Sequence, residues 1–378
     1  MKRILCALLS AIMLTGGAAA LPAMGPLHAK SAALYDASGK MLYEFNAEER
    51  LQPASVTKIM TMLLAIEAVD RGDVALTDMV TGSAYAASMG GTQIWLKEGE
   101  QLSLDEMLKA IAVGSANDCA VAVGEHLAGT EAAFVEKMNS RAQELGCTGT
   151  TFVNANGLDA GEQKTMTTAR DLALISAELL KHPKILDYTT IWMDSIRGGQ
   201  FQLANTNKML RSYKGLIGLK TGYISQAGFC ISAAARRDNM TLIATVMAAP
   251  TKEDRMADAS ALLNYGFANF VSYSPDLSGL PKTLPVDLGK EDTVALSAET
   301  VDSVTIEKEK AGTLETRITV PEQLSAPVVQ GQRVGEIVIV SHGAELMKVP
   351  VTAAQTVERK SLFGIYTDFL RAALMKGA

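Results

Sequence analysis

Apolar and polar positions change rhythm several times along this chain. Residues 32–45 alternate with a period of two, Ala32-Ala33-Leu34-Tyr35 and then Met41-Leu42-Tyr43, around a turn at 36–40 that contains Gly39. That pattern predicts a β-hairpin. After Pro53 the rhythm becomes helical, with Ile59, Met60, Met62, Leu63, Leu64 and Ile66 recurring up to Val69, so Ser55 is expected at the start of a long buried helix. Further helices are predicted over 105–113, opened by Ser103 with Glu106 as a capping-box partner, and over 117–127, 131–145 and 168–180, with Gly129, Gly146 and His182-Pro183 as stop signals. Beyond residue 200 extended runs return at 215–221, 229–235 and 240–247, followed by helical spacing at 260–270. Strands at both ends with helices between them describe an α+β domain, an antiparallel sheet with a helical subdomain.

Proline and glycine cluster at 275–285 and read as a linker. Short alternating runs follow, such as Ser303-Val304-Thr305-Ile306-Glu307, and predict a small all-β domain over 284–354 that works as a spacer. The last segment, 358–376, sets Leu362, Ile365, Tyr366, Phe369, Leu370 and Ala373 on one helical face, with Arg359, Lys360, Asp368, Arg371 and Lys376 elsewhere. Cationic flanks beside such a face describe a helix lying in a membrane surface. The same stripe would also suit a helix docked on the β-rich domain; its extreme C-terminal position favours the membrane. At the other end, Lys2 and Arg3 precede an apolar run over 4–14 and small residues at 18–20 and up to Ala29. Residues 1–29 are therefore expected to be an export signal cut between 20 and 29, which leaves 30–274 as the main domain.

Composition adds exclusions. A net charge of −6 over 378 residues offers no basic surplus for phosphates, so nucleic acid is not an expected partner. After export only Cys119, Cys147 and Cys230 remain; an odd number predicts no disulfide framework, and each is expected to pack as a small apolar side chain. Four histidines without ligand spacing make metal chemistry an unneeded assumption, and no cofactor is expected.

The chemistry lies in three spaced motifs: Ser55-Val56-Thr57-Lys58, Ser115-Ala116-Asn117 and Lys220-Thr221-Gly222. Singly they are common, and Ser55 alone would read as a helix cap. Together they supply covalent acyl transfer without histidine. A serine hydroxyl needs a base, and Lys58, three residues on, shares a helical face with it. An ordinary lysine is protonated, so Lys58 must be desolvated or set beside another cation, for which Lys220 is the candidate. Ser115 offers a hydroxyl that can shuttle a proton from Lys58 to a leaving amine. Asn117 offers an amide that can hold Lys58 and a substrate carbonyl. Gly222 would leave room for a ligand backbone against the strand. The backbone N–H groups of Ser55 and Tyr223 would form an oxyanion hole, and Lys220 and Thr221 would bind a terminal carboxylate.

With these motifs, and with 53–61, the loop Ala87-Ser88-Met89-Gly90-Gly91-Thr92, Asn156-Gly157-Leu158-Asp159, 167–171 and 218–223, the chain resembles the low-molecular-mass penicillin-binding proteins that act as serine-type D-Ala-D-Ala carboxypeptidases. The resemblance covers about residues 30–270 and continues to the terminal helix. It implies a penicillin-binding/β-lactamase-like transpeptidase fold with a β-rich second domain and a C-terminal anchor. It implies removal of the last D-alanine from peptidoglycan stem pentapeptides through an acyl-enzyme, a role in cell-wall biogenesis and cell shape, and β-lactams as covalent inhibitors. It also implies residence on the outer face of a bacterial cytoplasmic membrane. In that family an arginine after the sheet helps to bind the substrate carboxylate; Arg255 occupies the matching stretch, and its plainer reading is a solvated arginine at a helix start. Two departures stand out: Ser-Ala-Asn where many members have Ser-Gly-Asn, and Tyr223 where some have histidine. A class A β-lactamase would need a water-activating glutamate with asparagine four residues on, whereas Glu162 is followed by Met166. A catalytically silent wall-binding protein would not need the complete set of groups.

Overall fold

The computed structural model describes residues 21–159, 161–298, 303–312 and 314–367. The export signal expected at 1–29 falls mostly outside them, as does the second half of the segment 358–376 expected to be a terminal helix. Five antiparallel strands form the central sheet: β1 (Ser31–Asp36), β2 (Met41–Phe45), β3 (Leu216–Ile224), β4 (Gly228–Arg237) and β5 (Met240–Ala249), in the order β2-β1-β5-β4-β3. The predicted hairpin is thus one edge of the sheet, and the strand carrying Lys220-Thr221-Gly222 is the other.

Period-two alternation divides the core into two layers. On β1, Ala32 and Leu34 join Leu242 and Ala244 beneath α5 (Lys252–Asn269). Ala33 and Tyr35 point the other way, into a larger core shared with the helices α1 (Lys58–Asp70), α2 (Asn117–Ala128), α3 (Glu131–Glu144) and α4 (Ala169–Leu180). Helix α1 runs through that core and is buried on nearly every side, as its unbroken apolar run requires. Threonine caps fix the starts of α3, α4 and α5: Thr130, Thr168 and Thr251 accept from the backbone N–H three residues on.

Three boundaries differ from the sequence pattern. Ser55 lies on a 3₁₀ turn, Ala54–Thr57, that precedes α1 and has no side-chain cap, so Ser55 is not a helix N-cap. Ala54 enters that turn with φ +49, a left-handed value that costs a non-glycine residue energy and is found where function fixes the backbone. The helix expected over 105–113 stops at Lys109 and widens into a π turn, Ala110–Gly114. There the N–H of Ser115 reaches back to Ala110 O and Ser115 takes φ +64. Ser103 does cap this helix by accepting from Glu106 N, and its hydroxyl donates to one Glu106 carboxylate oxygen at 3.3 Å, while the other accepts from Arg197 N at 2.8 Å. Helix α5 begins at Lys252 rather than near 260, because its charged first turn carries no apolar period.

After α5, Phe270–Tyr273 pairs with Val304–Glu307. A six-stranded sheet then follows in the order Leu314–Thr319, Arg333–Ser341, Ala344–Ala353, Thr293–Ala298, Thr283–Asp287 and Leu324–Ser325, so the C-terminal part is built on β-strands, with one short helical turn at Lys308–Ala311.

Candidate active site

The three motifs converge where the 3₁₀ turn, the π turn and β3 meet. Glycine at 222 makes the approach possible: a Cβ there would stand 2.5 Å from Pro53 O and 3.0 Å from Val56 N. In the direction of that Cβ the space beside Gly222 is taken by the turn carrying Ser55, while along its outer edge β3 pairs with no further strand among the described residues. On the opposite side Gly157, with φ +83, lets its loop touch the same turn, since a Cβ there would lie 2.0 Å from Ala54 O.

Lys58 is fully buried and its amine has three acceptors within reach. They are Ser55 Oγ at 3.0 Å, Asn117 Oδ1 at 2.6 Å and the Asn156 carbonyl at 2.8 Å. Burial, and next the charge of Lys220, hold the Lys58 amine well below its ordinary value; a cation removed from water is disfavoured, and a second cation adds to the penalty. Asn117 opens α2 and is tied down through its backbone N–H to Thr92 O and its amide nitrogen to Gly90 O, both at 2.8 Å. Next to it, Asp118 accepts from Ile94 N and Leu96 N at 3.0 Å each, which fixes the loop over Asn117. The Ser115 hydroxyl makes no hydrogen bond among the described residues, although Ser115 is only 4% exposed.

Lys220 is likewise buried and donates to Thr221 O at 2.9 Å. Burial, then the charge of Arg255, bring its amine down to about 7. Thr221 Oγ1 donates to Thr206 Oγ1 at 2.8 Å. Arg255 stands in the first turn of α5 and is 8% exposed, so it is not a solvated helix-start arginine; its Nη1 contacts Gly222 O and Cys230 O at 3.4 Å each. Tyr223 turns an exposed side chain away from the motif, stacked on Phe229. Every predicted site residue thus lies on the elements that meet at this cleft or, for Arg255, directly behind β3.

Sequence reasoning missed the third partner of Lys58, because Asn156 acts through a backbone carbonyl that any residue possesses. It missed Thr206 as well, whose segment contains nothing but ordinary turn residues. Of the cysteines, Cys119 is buried beside the site and burial pushes its thiol well above the ordinary range, which removes it as a nucleophile. At the far end of α1, Glu67, Glu178 and His182 approach one another. Arg141 already pairs with both carboxylates there, at 2.8 and 2.7 Å.

Residues 18–251 match the family model described as D-alanyl-D-alanine carboxypeptidase, and residues 278–359 match that of the penicillin-binding protein 5 C-terminal domain. The D-alanyl-D-alanine carboxypeptidase DacF of Bacillus subtilis is 38% identical over 354 residues, 90% of each chain. Penicillin-binding protein 5 of Haemophilus influenzae superposes with a TM-score of 0.75 at 29% identity, over 89% of this chain and 100% of that one. Penicillin-binding protein D2 of Listeria monocytogenes, solved in an ampicillin-bound form, is 35% identical with a TM-score of 0.56, over 64% of this chain and 98% of its own.

Proposed function

The chain belongs to the D-alanyl-D-alanine carboxypeptidase family, and from that premise we propose a role for each residue of the cleft in removing the terminal D-alanine of peptidoglycan stem pentapeptides. It is a serine-type peptidase, and Ser55 is its nucleophile. The observation that carries this reading is the set of acceptors around Lys58. A neutral amine has two N–H groups and one lone pair. Asn117 Oδ1 and the Asn156 carbonyl can accept from both N–H groups, which leaves the lone pair for the Ser55 hydroxyl proton.

Ser55 Oγ attacks the carbonyl carbon of the penultimate residue while its proton passes to Lys58. The oxyanion is held by the backbone N–H groups of Ser55 and Tyr223. On collapse, Ser115 takes a proton from Lys58 and delivers one to the departing amine, and its uncommitted hydroxyl suits that shuttle. Free D-alanine leaves and the acyl group stays on Ser55. Lys58, neutral again, takes a proton from the water that hydrolyses the ester. Lys220, Thr221 and Arg255 bind the terminal carboxylate, while Gly222 keeps β3 against the Ser55 turn. β-Lactams acylate the same serine. Glu162 is exposed on the surface, which supports a site without a water-activating glutamate.

Export through the segment at 1–29 and attachment to the outer face of the cytoplasmic membrane through 358–376 belong to the same proposal, with 30–274 as the catalytic domain and 284–354 as its spacer. The described start of the terminal helix supports the anchor over docking: Leu362, Phe363 and Tyr366 are 86%, 76% and 58% exposed.

Ser55→Ala is expected to abolish both covalent penicillin labelling and D-alanine release from a diacyl-D-Ala-D-Ala peptide. Retained labelling would refute the nucleophile. Nitrocefin should give a stoichiometric burst, and rapid multiple turnover would instead indicate a β-lactamase.

A further inference from the structure

Arg255 is held in an unusual way for a buried guanidinium. Such groups ordinarily meet a carboxylate, because burying an unpaired charge is costly. Among the described residues no carboxylate lies within ion-pair distance of Arg255, its Nε has no hydrogen-bond partner, and its two carbonyl contacts are long. What lies against the guanidinium is an aromatic ring: its Cζ stands 5.6 Å from the centroid of Phe229. Phe229 faces Tyr223 directly across the β3–β4 ladder, and the two rings stack at 4.3 Å with an interplanar angle of 27°. Phe229 is thus in contact with the exposed Tyr223 ring as well as with the guanidinium.

We propose that Phe229 is a positioning residue that holds the Arg255 guanidinium by its ring face in place of a carboxylate, so that the charge stays uncompensated for the substrate's terminal carboxylate. A ring attracts a cation through its quadrupole without neutralising it. An aspartate or glutamate in the same place would hold the arginine more firmly but would cancel the charge that the substrate must find. The inference rests on the reading of Arg255 as a carboxylate binder.

The test compares D-alanine release from diacyl-D-Ala-D-Ala with release of D-alaninamide from its C-terminal amide, in the full chain. Activity is normalised to the fraction of enzyme labelled by penicillin at saturation, which counts folded sites. Phe229→Leu should lower kcat/KM for the free acid about 30-fold, the size of a desolvated cation–π contact, mainly through KM, and leave the amide unchanged. Phe229→Tyr should restore the preference for the acid. Equal losses on acid and amide, or no loss on either, would overturn the proposal. Arg255→Gln separates the two readings. If it removes the acid preference while Phe229→Leu does not, Phe229 has no positioning role. If Arg255→Gln itself leaves the preference intact, the carboxylate assignment fails and this inference with it.

Discussion

At the scale of single residues, two buried lysines with opposite protonation requirements set the expected pH behaviour. Lys58 must be neutral to accept the Ser55 proton, so acylation should be lost as pH falls through its depressed value. Lys220 must be cationic to bind a carboxylate, and its amine lies at about 7. KM for the free-acid peptide should therefore rise as pH climbs above about 7, while kcat changes less. Lys220→Arg, whose guanidinium stays protonated, should abolish the alkaline rise in KM; a rise that persisted would assign it to another group. Stability should carry the same signature. Between about 7 and the ordinary lysine value the native state has released a proton at Lys220 that the unfolded chain still holds, so stability increases with pH across that window. Replacing Lys220 by Met should reduce the slope of melting temperature between pH 7 and pH 9, and an unchanged slope would show that Lys220 does not titrate there. The sequence made this pair legible as two lysines in known motifs. It did not reveal that Arg255 lowers Lys220, or that Asn156 completes the shell of Lys58, because those relations depend on backbone carbonyls and on distances across the fold.

The site depends, at the scale of elements, on two turns that hydrophobic periodicity does not encode. The pattern placed the hairpin, α2, α3 and α4 within a residue or two, since each has an apolar stripe and a capping residue or glycine stop. It missed the 3₁₀ turn at Ser55, whose mixed residues Ala54–Thr57 precede the apolar run and carry no period of their own, and the π turn Ala110–Gly114, through which the apolar run continues without a break. Gly222 tests that contact. Alanine there adds one methyl group, but it would stand 2.5 Å from Pro53 O, a backbone atom that can yield only by moving the turn. Overpacking of this kind costs about 1–3 kcal/mol, and displacing a nucleophile by about 1 Å can cost on the order of 100-fold in rate. Gly222→Ala should therefore bind penicillin covalently at least about 100-fold more slowly with only a modest drop in melting temperature. Near-normal acylation would mean that β3 and the Ser55 turn have room to separate.

For the whole molecule, the question is what the β-rich part and the final helix contribute to a candidate site whose residues all lie in the first part. The two parts are joined by the Phe270–Tyr273 and Val304–Glu307 ladder, by Lys40 Nζ donating to Thr305 O at 2.7 Å and by Lys308 Nζ donating to Phe267 O at 2.8 Å. None of these contacts touches Ser55, Lys58 or Asn117. The chain then returns along the β-rich domain, where Lys290 N bonds Glu358 O and Lys360 N bonds Leu288 O, before the helix begins at Leu362 with Leu362, Phe363 and Tyr366 exposed and Ile365 half-buried. A cut after Lys360 removes the exposed face and keeps those backbone bonds, so it separates anchoring from folding more cleanly than a cut before Glu358. With a net charge of −6 the protein as a whole is not drawn to anionic lipid, so in the proposed anchoring apolar burial of the helix would supply most of the attachment. Deleting residues 361–378 should shift the protein from the floating to the bottom fraction in flotation with phosphatidylglycerol-containing vesicles. D-alanine release from a soluble peptide should stay within about twofold, as expected for a change remote from the site. If the shortened protein still floats, the attachment lies elsewhere on the chain; if it sinks but loses activity, the helix supports the fold rather than tethering it.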